Sequence, residues 1–154
     1  MIPTDDLWSE DDPRSVDGVT FHRIMRVKAE TSRLAEIRRF VEEAANEAEL
    51  DLERTFDCKV AVSEACANAV EHAGGQALPL EISARLQARR LTFVVSDNGP
   101  FRTLSASRED TRNRGLGMPL MVALMDEVSF ARAPGGGTTV SLSVLLDRVA
   151  PQPV

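Results

Sequence analysis

A chain of 154 residues with 43% apolar side chains is long enough for one packed core and too short for two comfortable ones. Its 24 acidic residues outnumber the 18 basic ones, for a formal charge of -6, which argues against nucleic acid as a direct partner because neutralising phosphates needs a basic face. No apolar run approaches the roughly 20 residues that span a bilayer, and the acidic start Met1-Ile2-Pro3-Thr4-Asp5-Asp6 lacks the basic and apolar regions of a signal peptide. The expectation is a cytoplasmic protein with no membrane or nucleic-acid contact, whose partners are proteins or small molecules.

Residues 1–18 carry Asp5, Asp6, Glu10, Asp11, Asp12 and Asp17 with two prolines, and read as a loose tail. Thr20, Phe21, Ile24 and Val27 favour a strand over residues 19–28. Thr31 or Ser32 is then expected to cap a helix whose Leu34, Ile37, Val41, Ala44, Ala45 and Ala48 recur at three-to-four-residue spacing, ending near Leu50. Asp51 is a good cap for a second helix, which runs through Leu52, Phe56, Val60, Ala67 and Val70 to the stop signal Gly74-Gly75. The two helices are expected to form an antiparallel pair. Cys58 and Cys66 fall eight apart on the second, about 12 Å at 1.5 Å per residue, too far to pair. Their spacing fits no zinc motif, and they read as small buried apolar groups.

Past Gly75 the period changes. Leu80, Ile82, Ala84, Leu86 and Ala88 alternate with Glu81, Ser83, Arg85, Gln87 and Arg89, the pattern of a half-buried strand. Arg89-Arg90 is expected to turn the chain into a second strand, residues 91–95, which stops at the breaker Asp97-Asn98-Gly99-Pro100. Residues 101–114 are polar and aperiodic and read as a mobile loop bearing Arg102, Arg108, Arg112 and Arg114. A third helix is expected over residues 115–126, with Leu116, Leu120, Ala123 and Leu124 on one side. A last hairpin joins residues 127–132 to 138–146 through Pro134-Gly135-Gly136-Gly137. These elements give one α/β domain over residues 19–147, between the tail 1–18 and a short C-terminal tail 148–154. Its natural packing is an α+β two-layer sandwich, three helices over one face of a mixed, mainly antiparallel sheet of four or five strands.

The segment richest in chemistry is Ser63-Glu64-Ala65-Cys66-Ala67-Asn68-Ala69-Val70-Glu71-His72. Glu64, Asn68 and His72 stand at i, i+4 and i+8, one polar stripe that drifts about 40° per step on a helix otherwise rich in Ala, Val and Cys. Such a stripe on a nearly buried helix suits the wall of a cleft. Behind it come Asp97-Asn98-Gly99 at a strand end, Gly115-Leu116-Gly117 opening a helix, and Gly136-Gly137-Thr138-Thr139-Val140 at the last strand. Each is weak alone; their joint order is specific.

In that order the sequence resembles the Bergerat-fold ATPases, the superfamily of gyrase and the histidine kinases. Glu64-Ala65-x-x-Asn68-Ala69-x-x-His72 and Leu120-Met121-x-x-Leu124-Met125-Asp126-Glu127-Val128 look like the anti-sigma factor serine kinases within it. The resemblance spans about residues 20 to 146 and implies the Bergerat ATP-binding fold and a serine or threonine protein kinase using ATP. It also implies a chain that sequesters a sigma factor and is relieved by an anti-anti-sigma partner of STAS type; whether it forms a homodimer stays open.

Residue chemistry agrees with those roles. Asn68 offers a neutral oxygen to a magnesium ion that bridges ATP phosphates and keeps several waters. Glu64, one turn earlier, suits the base that accepts the proton of an incoming hydroxyl. Asp97 can accept a hydrogen bond from the adenine amino group, with Thr138 joining directly or through water. Gly99 admits the base close to the backbone. The Gly115-Leu116-Gly117 turn leaves helix-terminal amides free for phosphate oxygens, and Arg114 with the other loop arginines offsets phosphate charge. His72 is assigned to the nucleotide end of the helix, near a phosphate or bonded to the helix end.

One departure stands out. The family's strand-end motif reads Asp-x-Gly-x-Gly, and Phe101 stands where its second glycine belongs, a change that bears on the hinge of the loop over the nucleotide. Two alternatives follow: an ATP-sensing module that binds partners without transferring phosphate, and a detached histidine kinase catalytic domain, for which no phosphoacceptor helix is present.

Overall fold

A computed structural model describes residues 18–74, 78–97, 117–132 and 137–146. The expectations for both tails and for the arginine-bearing loop fall outside these residues. Strand β1 (Val19–Lys28) lies where the β-formers placed it, with Phe21 buried and Met25 and Val27 partly buried on one face and His22, Ile24 and Arg26 on the other. A 3-10 turn, Thr31–Arg33, then leads into α1 (Leu34–Glu47). Neither Thr31 nor Ser32 caps this helix through its side chain, contrary to expectation; the Arg33 N–H donates to the Glu30 carbonyl at 2.9 Å, and this tighter turn takes up N-terminal groups that a hydroxyl would otherwise serve.

Helix α2 (Leu52–Ala73) begins and ends as its sequence dictates. The Arg54 N–H donates to Oδ1 of Asp51 at 2.8 Å, and Gly74 closes the helix at φ 63°, a left-handed turn that costs glycine little. The buried stripe, however, is not the one marked by the largest apolar residues. Leu52 is 86% and Phe56 63% exposed, while Cys58, Ala61, Val62, Ala65, Cys66, Ala69 and Ala73 face inward. Small side chains let the helix lie close to the sheet and to α1 and α3, where larger ones would hold it off.

Strands β2 (Pro79–Gln87) and β3 (Arg90–Asp97) form the expected hairpin. The turn sits one residue earlier than expected, at Ala88 and Arg89, with φ of 53° and 61°; two left-handed residues in succession match the twist of the flanking strands, so Arg90 already belongs to β3. Helix α3 (Gly117–Leu124) buries Met121 while Ala123 is exposed, and Met125, just past the helix, is buried as well. Strands β4 (Glu127–Arg132) and β5 (Thr138–Leu145) complete the chain. The sheet order is β1-β2-β3-β5-β4, and every neighbouring pair is antiparallel, narrower than the mixed sheet the sequence allowed.

The core lies between the three helices and the inner face of the sheet, where Leu80, Ile82, Leu91, Phe93 and Leu142 are fully buried. Each such side chain contributes about 1.5–3 kcal/mol by leaving water. Arg54 fastens the layers together. Its Nη2 donates to Oδ2 of Asp126 at 3.2 Å and to the Leu145 carbonyl at 3.0 Å. The same Oδ2 accepts the Leu145 N–H at 2.7 Å. Among the described residues no helix is long and apolar enough to cross a membrane.

Candidate functional site

The polar stripe forms on α2 as spaced. Glu64, Asn68 and His72 are all half-buried, flanked by the buried Ala65, Cys66 and Ala69. Oδ1 of Asn68 is wholly buried and meets no hydrogen-bond donor among the described residues, and the same is true of the Ser63 Oγ. A buried amide oxygen left without a donor costs about 1–3 kcal/mol, and such an atom marks a place where a cation or an ordered water belongs. Burial pushes the Cys66 thiol up to about 12. Burial does the same to Cys58, to about 12; both thiols are free and buried, as small apolar groups should be.

Asp97 ends β3 on the same face as the buried Val95 and Phe93, and Thr138 opens β5 on the face of the buried Val140 and Leu142. The two are register partners, so their side chains stand about 5 Å apart on the helix side of the sheet. Leu80, the other register partner of Asp97, begins only a few residues after Gly74. The C-terminal half of α2 and the Asp97–Thr138 end of the sheet therefore gather at one end of the molecule.

Helix α3 points toward the same region. Its far end, at Asp126, is tied to Arg54 near the start of α2, and α3 packs along α2. Eight helical residues rise about 12 Å, which, for helices running side by side, carries Gly117 from the level of Arg54 to about half a turn short of Glu64. Of the expected site residues, Glu64, Asn68 and His72 share one stripe of α2, Asp97 and Thr138 are partners across β3 and β5, and Gly117 starts α3; Gly99, Arg114, Gly115 and Leu116 lie outside the described residues, as does Phe101.

The donor set fits a hard cation bound chiefly through a nucleotide. Among the described residues no three His, Cys, Asp or Glu side chains gather to hold a metal by themselves, while Asn68 presents one buried, unpartnered oxygen, the kind of single protein ligand that magnesium takes beside phosphates and water. Sequence reasoning did not find the Arg54–Asp126 clamp, whose partners stand 72 positions apart. The only local signal was a carboxylate placed directly between an apolar helix and a strand.

Residues 27–144 match the family of the histidine kinase-like ATPase domain. The serine-protein kinase RsbW of Bacillus subtilis (strain 168) is 31% identical over 137 residues, covering 80% of this chain and 84% of that one. The chain belongs to the histidine kinase-like ATPase domain family, among the anti-sigma factor serine kinases. Another relative in this family, the anti-sigma F factor of Pasteuria penetrans, is 33% identical over 112 residues, 64% of this chain and 75% of that one. A solved structure of the RsbU and RsbW domains of Rv1364c from Mycobacterium tuberculosis shares the fold, with a TM-score of 0.66 at 23% identity over 88% of this chain. This chain spans 35% of that longer one.

Proposed function

We propose that this chain is a cytoplasmic serine/threonine protein kinase that binds Mg-ATP between α2 and the Asp97–Thr138 end of the sheet, holds a sigma factor, and phosphorylates a STAS-type anti-anti-sigma partner. The observation that carries the reading is the buried, unpartnered Oδ1 of Asn68 one turn beyond Glu64. Relatives named serine-protein kinase and anti-sigma factor support the class of activity.

Asp97 accepts from the adenine amino group with Thr138 beside it, which selects adenine over the carbonyl of guanine. Gly117 contributes to the amide cradle for phosphate oxygens at the start of α3. Asn68 would hold a magnesium ion beside the phosphates, and that ion would supply positive charge to offset the transferred group. Glu64 accepts the proton of the partner's hydroxyl as that oxygen bonds to the γ-phosphorus and the β–γ bridging bond breaks to leave ADP. His72, in the last turn of α2, serves the nucleotide end of the stripe.

A second reading, an ATP-sensing module without phosphate transfer, is favoured by Phe101 in place of the loop glycine. Labelled ATP, a candidate STAS-type partner and two variants separate the readings. Glu64→Ala is expected to keep the rise in Tm with Mg-ATP and lose transfer, whereas Asn68→Ala loses the magnesium-dependent rise itself. Acid-stable label on the partner supports the kinase. Binding without label favours the sensor, and transfer at the parental rate by Glu64→Ala removes Glu64 as the base.

A further inference from the structure

The outer face of the sheet, away from the helices, carries an open depression of about 380 Å³. His22, Arg85, Gln87, Arg90, Thr92 and Val94 are among the residues that line it, and no carboxylate is. Arg90 is paired with Glu127 at the rim. Arg85 is exposed and meets only the neutral Gln87 amide, at 3.3 Å, among the described residues. Beside the depression, Ile24 is 43% exposed on the same face. This is a basic floor with an apolar margin in a protein of net charge -6.

Another exposed apolar surface has the opposite character. Leu52 and Phe56 stand on the first turns of α2 among Asp51, Glu53 and Asp57. Burial raises the carboxyl of Asp57 above its ordinary value, with Glu53 adding to the rise and Arg54 opposing it.

Residues 1–17 hold six carboxylates, at Asp5, Asp6, Glu10, Asp11, Asp12 and Asp17, against one arginine, Arg14, with Leu7-Trp8 between the acidic groups. They join the fold through Gly18 at Val19, whose register partner Gln87 lines the depression. The segment therefore starts about 5 Å, one strand spacing, from the basic floor. The residues between Trp8 and Val19 can span up to about 35 Å when extended, ample to cross it. Like charges at the start of α2 repel the same segment, so charge selects between the two surfaces.

We propose that residues 1–17 dock in cis on the outer face of the sheet, their carboxylates against Arg85 and the basic floor and Leu7-Trp8 over Val94 and Ile24. The outer face is then covered by the protein's own chain, and any macromolecule that uses it must displace this cover. The proposal is independent of the nucleotide site on the opposite side of the sheet.

Trp8 is the sole tryptophan and the chain has no tyrosine, so intrinsic fluorescence reports on this segment alone. In the full-length protein at low salt, Trp8 is expected to emit to the blue of an isolated peptide of residues 1–17 and to resist acrylamide quenching. Raised salt, Arg85→Glu, and the triple variant Asp5→Asn, Asp6→Asn, Glu10→Gln should each move emission and quenching toward the peptide values. The triple variant alters no residue of the folded core, so it decides the matter if Arg85→Glu fails to fold. Peptide-like quenching of the unaltered protein overturns the proposal, as does protection that neither variant changes. Protection lost on dilution, in step with a halving of mass, overturns it in favour of a second copy as the occupant.

Discussion

The two halves of α2 use polar side chains in opposite ways. In the first half Asp51 caps the helix, Arg54 clamps Asp126 and the Leu145 carbonyl, and Lys59 pairs with Glu42 of α1 at 3.5 Å. In the second half Glu64, Asn68 and His72 form no such bond to the described residues, although Asn68 Oδ1 is buried. Thr55 Oγ1, also buried without a partner, lies in the first half, so the contrast belongs to the charged and amide groups rather than the hydroxyls. One end of the helix is a strut fixed to the scaffold; at the other, Glu64, Asn68 and His72 form a wall that makes no such bond among the described residues. Such an arrangement holds the stability of the fold apart from the chemistry of the site.

Breaking the strut has the largest expected effect. Arg54→Met removes the donor to Asp126 and to Leu145 together, and should lower the unfolding free energy by about 2–4 kcal/mol in urea. Binding of Mg-ATP by the folded fraction should survive, because the wall is untouched. A loss below about 0.5 kcal/mol would mean the clamp is only a surface pair.

Filling the wall should do the reverse. Asn68→Leu replaces an unpartnered buried amide by an apolar group of similar size, and should raise the stability of the nucleotide-free protein by about 1 kcal/mol while abolishing the Tm increment from Mg-ATP. If the variant is instead less stable without nucleotide, the amide already has a structural partner in solution.

The smallest effect sharpens the comparison through the thiols, since Cys58 lies in the first half and Cys66 in the second. Burial pushes both thiols up to about 12, above the ordinary thiol range. The raised value means the folded state favours the protonated thiol; that stability is fully present below about pH 9 and is lost as pH rises toward 12. At pH 8 both thiols should resist alkylation, and mass mapping should find Cys66 modified before Cys58 when the wall opens locally. Labelling of Cys58 first would reverse the assignment of strut and wall.

Much of this was legible in the residues. The β-formers placed β1, Asp51 and Gly74 fixed both ends of α2, and the spacing of Glu64, Asn68 and His72 put them on one helical stripe. The inward face of α2 was not legible, because Leu52 and Phe56 advertise burial by size while the packing selects the small residues opposite them. The turn at Ala88-Arg89 contains no glycine or asparagine to signal two left-handed residues. Asp97 and Thr138 were each identified, yet their register is a product of strand order, and no local pattern encodes it.

That register has a consequence for how the chain can vary. β3 ends at Asp97 and β5 begins at Thr138, two neighbours in adjacent strands, and α3 and β4 lie between them in sequence. Closing an excursion whose ends already touch costs little more when it grows, about 0.6 kcal/mol for each doubling of a flexible length. Within it, α3 and β4 keep their own anchors: Met121 and Met125 in the core, and Asp126 on Arg54. Residues can be added or removed between Asp97 and α3 without shifting a single pair of the β3–β5 ladder.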